Sequence, residues 1–388
     1  MSSKKVTLVT TYYPPEKGAA SNRIAMMAKG FLDNGFDVQV ISPMPNYPEG
    51  RVMKAYRRKL LVKERIDGVN VWRLPLYPSN SNSGMVRMLS MFSYALPVFM
   101  LLPFISFRRK NIIIQCPPLP VALFAALISR ISGKHTIVNV SDLWPLSAKE
   151  MGAISEGAVY KIMDYMASGT YHLAHNIVGQ SEEIISYVQN QYVQRPSFVY
   201  RNLQSEVSTV ANGKFNGHVI YAGLIGHAQK ISDIVSACVF PHGLDIYGDG
   251  GDVGTLKATI ASQDIASVTY HGSVSPAELA SILPKFSYSL IPLTVQIHGA
   301  VPSKLFDSVS RGVPVIFMGG GEGARIVKEH GLGFCVNPGD FQGLNKVLSN
   351  INEELYLTHY KNCLDYTKGH LSFDNQFDRL LSHLSLKS

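Results

Sequence analysis

The sequence predicts an α/β protein of two Rossmann-like domains, each a parallel sheet covered by helices on both faces. Three observations predict it. Strand-like β-branched runs alternate with helical apolar stripes along nearly the whole chain. The alternation lapses once, around residues 200–217, and then resumes. With 388 residues and 46% hydrophobic content, the chain also exceeds the usual size of one core. Sheets of this kind bind ligands beyond the carboxyl ends of their strands, so two of them facing across a cleft are expected to hold substrate between them.

Residues 5–11 are β-branched and apolar. After a loop containing Pro14, Pro15 and Gly18 comes a helical stripe of Ile24, Met27, Ala28, Phe31 and Leu32. Ser21 is placed to cap that helix and Gly35 to end it. Residues 38–42 then read as a strand, completing a βαβ unit with a right-handed crossover. The order recurs at residues 112–115, Leu119–Ile131 and residues 136–140. Asn202, Asn212, Gly213 and Gly217 mark a linker. A second series of strands follows at residues 218–222, Leu244–Tyr247, residues 267–270, Tyr288–Pro292 and residues 313–317. The expected division is residues 1–200, residues 201–365, and a terminal helix in 366–388 returning to the first domain.

Residues 88–107 are apolar enough to raise the question of a membrane span. Strand-like segments flank this run, at 71–76 and 111–115, and one crossing would put them on opposite sides of a membrane. The run therefore reads as a buried or interfacial helix, with Arg87 and the cluster Arg108, Arg109 and Lys110 placed to meet lipid headgroups.

Charge is distributed unevenly. Residues 1–200 carry 22 Lys and Arg against 12 Asp and Glu, whereas residues 201–388 carry 14 against 16. Much of the excess lies at Arg51, Lys54, Arg57, Arg58, Lys59, Lys63 and Arg65, as expected for a domain drawn to an anionic membrane surface. A solvated basic face is the alternative. No recognition-helix, zinc-finger or RNP-type pattern accompanies these charges, so nucleic acid is not the expected partner. Cys116, Cys238, Cys335 and Cys363 stand apart, without the spacing of a disulfide framework or zinc site. With no signal-peptide pattern at residues 1–5, a cytoplasmic location is expected.

The stretch with most chemistry is His298-Gly299-Ala300-Val301-Pro302-Ser303-Lys304-Leu305-Phe306-Asp307. Small residues admit a ligand close to backbone, and Pro302 suits the first position of a helix. Unpaired N–H groups and the positive end of the helix dipole favour a diphosphate there, with Ser303 adding a hydroxyl and Lys304 a full charge. Asp307 lies one turn on, on the same face. A capped helix with a Lys304–Asp307 surface pair is the plain alternative.

This sequence resembles glycosyltransferase family 4, and within it the colanic-acid and O-antigen fucosamine-type branch. The resemblance rests on Tyr13-Pro14-Pro15-Glu16-Lys17-Gly18-Ala19, Pro45-Asn46-Tyr47-Pro48-Glu49-Gly50, Asp142-Leu143-Trp144-Pro145, residues 221–229, Tyr247-Gly248-Asp249-Gly250 and Pro302-Ser303-Lys304-Leu305-Phe306-Asp307, in family order. It implies the GT-B fold, a nucleotide-sugar donor held mainly by the second domain, no cofactor or metal, and transfer with retention. Donor contacts are carried over to Gly18, Gly226, Gln229, Gly248, Gly272, Ser273, Val274, Gly299, Ala300, Val301, Pro302, Ser303, Lys304, Leu305 and Asp307. Asp307 stands where relatives carry a ribose-binding glutamate. Gly299 replaces a second glutamate, and the basic pair usual after the first strand of the second domain is absent, with Lys230 or Arg201 as possible helpers. The histidine many relatives place after an N-domain strand is replaced by Cys116-Pro117-Pro118.

Catalytic roles are expected for Lys304, Asp142 and Glu16. Trp144 reads as packing, and His227 and His271 as loop histidines. Departure of a nucleotide diphosphate is easiest where preorganised donors meet the developing charge. The branch implies a UDP-sugar of an N-acetylated deoxyhexose and a lipid-linked (polyprenyl-diphosphate) saccharide acceptor at the inner face of the membrane. Three rivals differ in class. A NAD-dependent enzyme is suggested by Gly319, Gly321 and Ala324 in a G-x-G-x-x-A pattern, although few residues follow it. A nucleotide-sugar 2-epimerase shares the fold, and a non-catalytic membrane-bound scaffold would need no Lys304.

Overall fold

The computed structural model describes residues 4–81, 83–203, 209–226, 229–263, 265–295 and 297–386. The chain divides into two units, residues 1–201 with 374–388, and residues 202–373.

In unit 1 the order is β1 (Lys5–Val9), α1 (Ala19–Asp33), β2 (Asp37–Pro43), β3 (Val62–Ile66), β4 (Val69–Leu74), α2 (Gly84–Ile105), β5 (Asn111–Cys116), α3 (Leu119–Ile131), β6 (His135–Val140), α4 (Leu146–Glu150), α5 (Ala158–Leu173), β7 (Asn176–Gly179), α6 (Glu182–Gln191) and β8 (Ser197–Val199). The sheet runs β3-β4-β2-β1-β5-β6-β7-β8. Every pairing is parallel except β3 with β4. The central strands are covered on both faces, so consecutive residues of β5 and β6 are buried: Ile112, Ile113 and Ile114 in one, Ile137 and Val138 in the other. Edge strand β3, Val-Lys-Glu-Arg-Ile, exposes Lys63 and Arg65, as edges generally do, while Glu64 turns to the buried Arg73.

Unit 2 follows with β9 (Val219–Ala222), α7 (Ile231–Ala237), β10 (Leu244–Tyr247), α8 (Val253–Ser262), β11 (Val268–Gly272), α9 (Pro276–Ile282), β12 (Tyr288–Pro292), α10 (Ser303–Ser310), β13 (Val315–Met318), α11 (Gly321–Glu329), β14 (Gly333–Val336), α12 (Phe341–Asn350) and α13 (Glu353–His370). Its six strands are in the order β11-β10-β9-β12-β13-β14. The order reverses beside β9, and at such a reversal the loops leaving neighbouring strands part to opposite faces. The last helix, α14 (Phe373–Leu384), lies with unit 1 from Asp374 onward, where Phe377 meets Phe31 edge-on at 4.9 Å. A division at residue 365 would cut α13, which packs on α10 and stays with unit 2.

Three local expectations are corrected. Helix α1 starts at Ala19 with Gly18 as its N-cap, so Ser21 lies inside the first turn and its buried hydroxyl finds no partner among the described residues. Gly18 enters the helix at φ 147°, a conformation open to glycine, and no polar cap is needed to mark the start. Pro302 is likewise the N-cap of α10 rather than its first residue. Arg109 turns inward to Asp37 at 2.7 Å and to the Asp37 carbonyl at 2.6 Å, so it braces β2 instead of facing lipid.

The apolar run forms α2, which contains Pro97 and Pro103. It is long and apolar enough to cross a membrane, yet its neighbours β4 and β5 belong to one sheet, which a crossing would forbid. Its inner face buries Tyr94, Ala95, Val98 and Leu102. Its outer face is also apolar. Met85, Leu89, Phe92, Leu96, Met100 and Phe104 recur every three or four residues and are exposed, Met85 to 83% and Phe104 to 78%. Helix α2 packs on α3, and α3 on α5, where Ile131, Val159, Ile162 and Tyr165 extend the exposed apolar surface.

Candidate active site

In unit 2 the carboxyl ends of four neighbouring strands supply the site. Gly223 follows β9, Gly248 follows β10, Gly272 ends β11, and the loop after β12 leads to α10. Backbone bonds tie the first three together: Gly223 N–H donates to Tyr247 O at 2.9 Å and Gly248 N–H to Gly272 O at 2.8 Å. A β-carbon on Gly248 would lie 1.8 Å from the Gly223 carbonyl oxygen, and Gly248 has φ 147°. Gly248→Ala is therefore expected to lower stability by about 2 kcal/mol, since it adds backbone strain and parts two loops. A urea midpoint unchanged from wild type would contradict this close approach.

Gly226 and Gln229 form a turn, with Gln229 N–H donating to Gly226 O at 3.0 Å. The side-chain carbonyl of Gln229 is buried and has no partner among the described residues. His227, between them, lies outside the described residues. Ser273 and Val274 form the short loop between β11 and α9, whose start is fixed by a capping box of Ser275 and Glu278. His271 lies flat on Tyr247 at 4.4 Å and meets Asp245 at 2.6 Å.

Helix α10 is anchored by Leu305 and Phe306, both buried in the core beneath it. Its first turn holds no acidic residue and its N-cap Pro302 offers no side-chain bond, so the positive end of the dipole is uncompensated by a side chain. Gly299 makes the preceding turn at φ 77°, Ala300 N–H closes it on Ile297 O at 3.1 Å, and Val301 packs against the core. Asp307, one turn along, is half-buried. Lys304 runs back toward β9, and its Nζ stands 4.8 Å from the centre of the Tyr221 ring. A β-carbon on Gly223 would lie 1.9 Å from that Nζ. Burial pushes the Lys304 amine down to about 8. Among the described residues it has no hydrogen-bond or carboxylate partner, so a base usually charged at neutral pH is held in poorly solvated surroundings.

In unit 1 the buried carboxylate of Glu16 accepts from Asn46 N at 2.8 Å, Tyr47 N at 2.9 Å and Tyr13 N at 3.4 Å. It thereby ties the loop after β1 to the loop after β2, and burial raises its pKa despite these bonds. Arg73, fully buried, donates to Glu64 at 2.7 Å, to Ser42 Oγ at 2.7 Å and to the Pro14 carbonyl, supporting the same loops. Asp142 follows β6 and is exposed, with Arg23 of α1 close enough for their charges to interact. Trp144 packs against the core of unit 1. Arg201 belongs to this unit, with Glu182 at 3.9 Å, and Lys230 is exposed at the start of α7. No group of His, Cys, Asp and Glu among the described residues could hold a metal ion.

No family model matches the chain. Over 98% of its length, and 99% of the other's, it is 22% identical to WcaI of Escherichia coli (strain K12), named as a colanic acid biosynthesis glycosyl transferase. Among solved structures, sucrose-phosphate synthase from Thermosynechococcus elongatus superposes with a TM-score of 0.76 at 11% identity, over 98% of each chain. Anabaena HepE, in complex with UDP and glucose, superposes with a TM-score of 0.69 at 13% identity, over 98% of this chain and 99% of the other. The chain is a glycosyltransferase of the GT-B fold.

Within this glycosyltransferase the glycine-rich turn at Gly319–Gly321 opens α11 after β13, and only β14 follows in the sheet. That is too little to build a dinucleotide site of two halves. Three side chains escaped the reading of the sequence. Tyr221 meets Lys304 only because β9 and α10 come together in the fold. Arg23 adjoins an apolar helical stripe and carries no local motif. Glu322, in the first turn of α11, is fully buried.

Proposed function

We propose that this glycosyltransferase moves a sugar from a UDP-sugar, held at the strand ends of unit 2, onto a lipid-linked saccharide presented to unit 1 at a membrane surface. The observation that carries the donor site is Lys304, a poorly solvated amine at the head of an uncapped helix, set against the glycine of a neighbouring strand end. Such a pairing of dipole and ammonium suits a departing diphosphate, and a low-dielectric setting strengthens it without a metal ion. HepE, solved with UDP, supports the choice of nucleotide.

Ser303 and the backbone of residues 299–302 would cradle the phosphates, with Leu305 seating the helix beneath them. Asp307 would reach the ribose, and Gly272, Ser273 and Val274 would frame the base. Gly226, Gln229 and Gly248 would keep backbone close to the donor. Asp142, exposed beside Arg23, would meet the acceptor hydroxyl. Glu16 would act by fixing the loop that carries it.

A role in extracellular polysaccharide or O-antigen assembly, with an N-acetylated deoxyhexose as the sugar, draws on the resemblance to WcaI. The acceptor reading draws on the doubly apolar α2, because a helix apolar on every face needs an apolar environment on every face. The test is a screen of UDP-, GDP- and TDP-sugars against polyprenyl-diphosphate-linked saccharides, with products read by mass spectrometry. Turnover is expected with a UDP-sugar and a lipid-linked acceptor. Folded protein that turns over none of these pairs would overturn the reading.

A further inference from the structure

We infer that Tyr221 positions Lys304: the face of its ring holds the ammonium beside Gly223, among the strand-end loops where the donor's diphosphate is proposed to bind. This rests on the proposed donor site and gives a role to a residue of the 221–229 segment to which the sequence assigns none.

The geometry is specific. Tyr221 is fully buried in β9, and its hydroxyl donates to the Leu224 carbonyl, which fixes the plane of the ring. Nζ of Lys304 lies 4.8 Å from the ring centre, inside the range in which the negative face of an aromatic ring attracts a cation. The space Nζ occupies exists because residue 223 has no side chain; a β-carbon there would stand 1.9 Å from Nζ and 2.5 Å from Cε. Strand, glycine and helix therefore form one fitted receptacle for this amine.

The chemistry explains why a ring is suited to the task. A carboxylate next to Lys304 would hold the ammonium firmly but would repel a diphosphate from the same place. A neutral ring stabilises the cation more weakly than a charge-assisted hydrogen bond to phosphate does, so the incoming anion wins the lysine without facing a competitor. Burial keeps the Tyr221 phenol protonated by raising its pKa, so the ring partner stays neutral throughout the working range. Burial lowers the pKa of the Lys304 amine, so the ammonium gains from any partner that stabilises its charge.

The test replaces Tyr221 with phenylalanine and then with mono-, di- and trifluorophenylalanine in the full chain. These keep the shape and drain charge from the ring face stepwise, with Tyr221→Phe as the reference for loss of the hydroxyl. Lys304 titration is read by NMR on lysine labelled with carbon-13, its signal assigned with Lys304→Arg. Binding of UDP is read by calorimetry at pH 7.5. The midpoint of Lys304 is expected to fall steadily along the series, by about half a pH unit or more from Phe to the trifluoro ring. Affinity for UDP should weaken severalfold in parallel. A Lys304 midpoint that stays flat across the series, with UDP still bound by wild type, overturns the part given to Tyr221. Absence of UDP binding in the wild-type chain overturns the donor site on which it rests.

Discussion

Lys304→Ala is expected to reduce turnover by about 10²-fold or more while leaving the protein as stable as before, or more so. The catalytic loss follows from removing a full charge at the point where the leaving diphosphate gathers negative charge, a contribution of about 3 kcal/mol in comparable preorganised sites. The stability effect has the opposite sign from that of most core substitutions. Burial lowers the pKa of this amine to about 8 from its ordinary 10.5, so folding disfavours the ammonium. Between those values the unfolded chain binds more protons than the folded one, and the contribution of Lys304 to stability rises with pH across that window. Below pH 8 the full cost of the poorly solvated charge is present, and alanine relieves it. Affinity for UDP runs the other way, falling as pH rises through about 8, because the anion needs the charged form. Urea midpoints of wild type and variant at pH 7 and pH 10, with UDP titrations at pH 7 and pH 9, read both slopes. A variant that loses stability at pH 7 while keeping its UDP affinity would assign Lys304 to the fold and remove it from the donor site.

The contrast between Lys304 and Tyr221 shows how far the sequence reaches. Lys304 was legible as the head of a helix because small residues, a proline and a cation together describe such a start, and all of these are local. Tyr221 was hidden because its contact joins β9 to α10, and nothing along either segment records the other. Short strands rich in apolar and aromatic residues were equally legible: Leu244–Tyr247 and Tyr288–Pro292 each form a strand over the span expected. Strand β3 was missed because its alternating charges merge with the basic stretch around it, and β8 because three residues carry too little pattern. Arg108, Arg109 and Lys110 look alike as a cluster, yet Arg109 finds Asp37 across the fold. The placement of Ser21 failed for a related reason, since a helix that starts on a glycine leaves no polar residue to announce it.

Replacing Leu96, Met100 and Phe104 together with glutamate is expected to release the protein from membranes while leaving its fold intact. These side chains are exposed to 54%, 59% and 78%, so little core packing depends on them, and the melting temperature should hardly move. Entering the headgroup region would bury each of them, at about 1 kcal/mol apiece on the usual area scale. Three acidic charges facing an anionic surface would add a repulsion of similar size, for about 4 kcal/mol or more in all, about a thousandfold in partitioning. Flotation with vesicles containing anionic lipid reads this directly. Val239, equally exposed in unit 2 at 69%, supplies the control: Val239→Glu should float as wild type does. Raised salt should weaken binding in part, because exposed Lys54, Arg57, Arg58 and Lys59 contribute a screened attraction that the apolar stripe does not. If the triple variant floats with the vesicles as well as wild type, α2 is not the surface that meets lipid, and the proposed acceptor loses its strongest structural support.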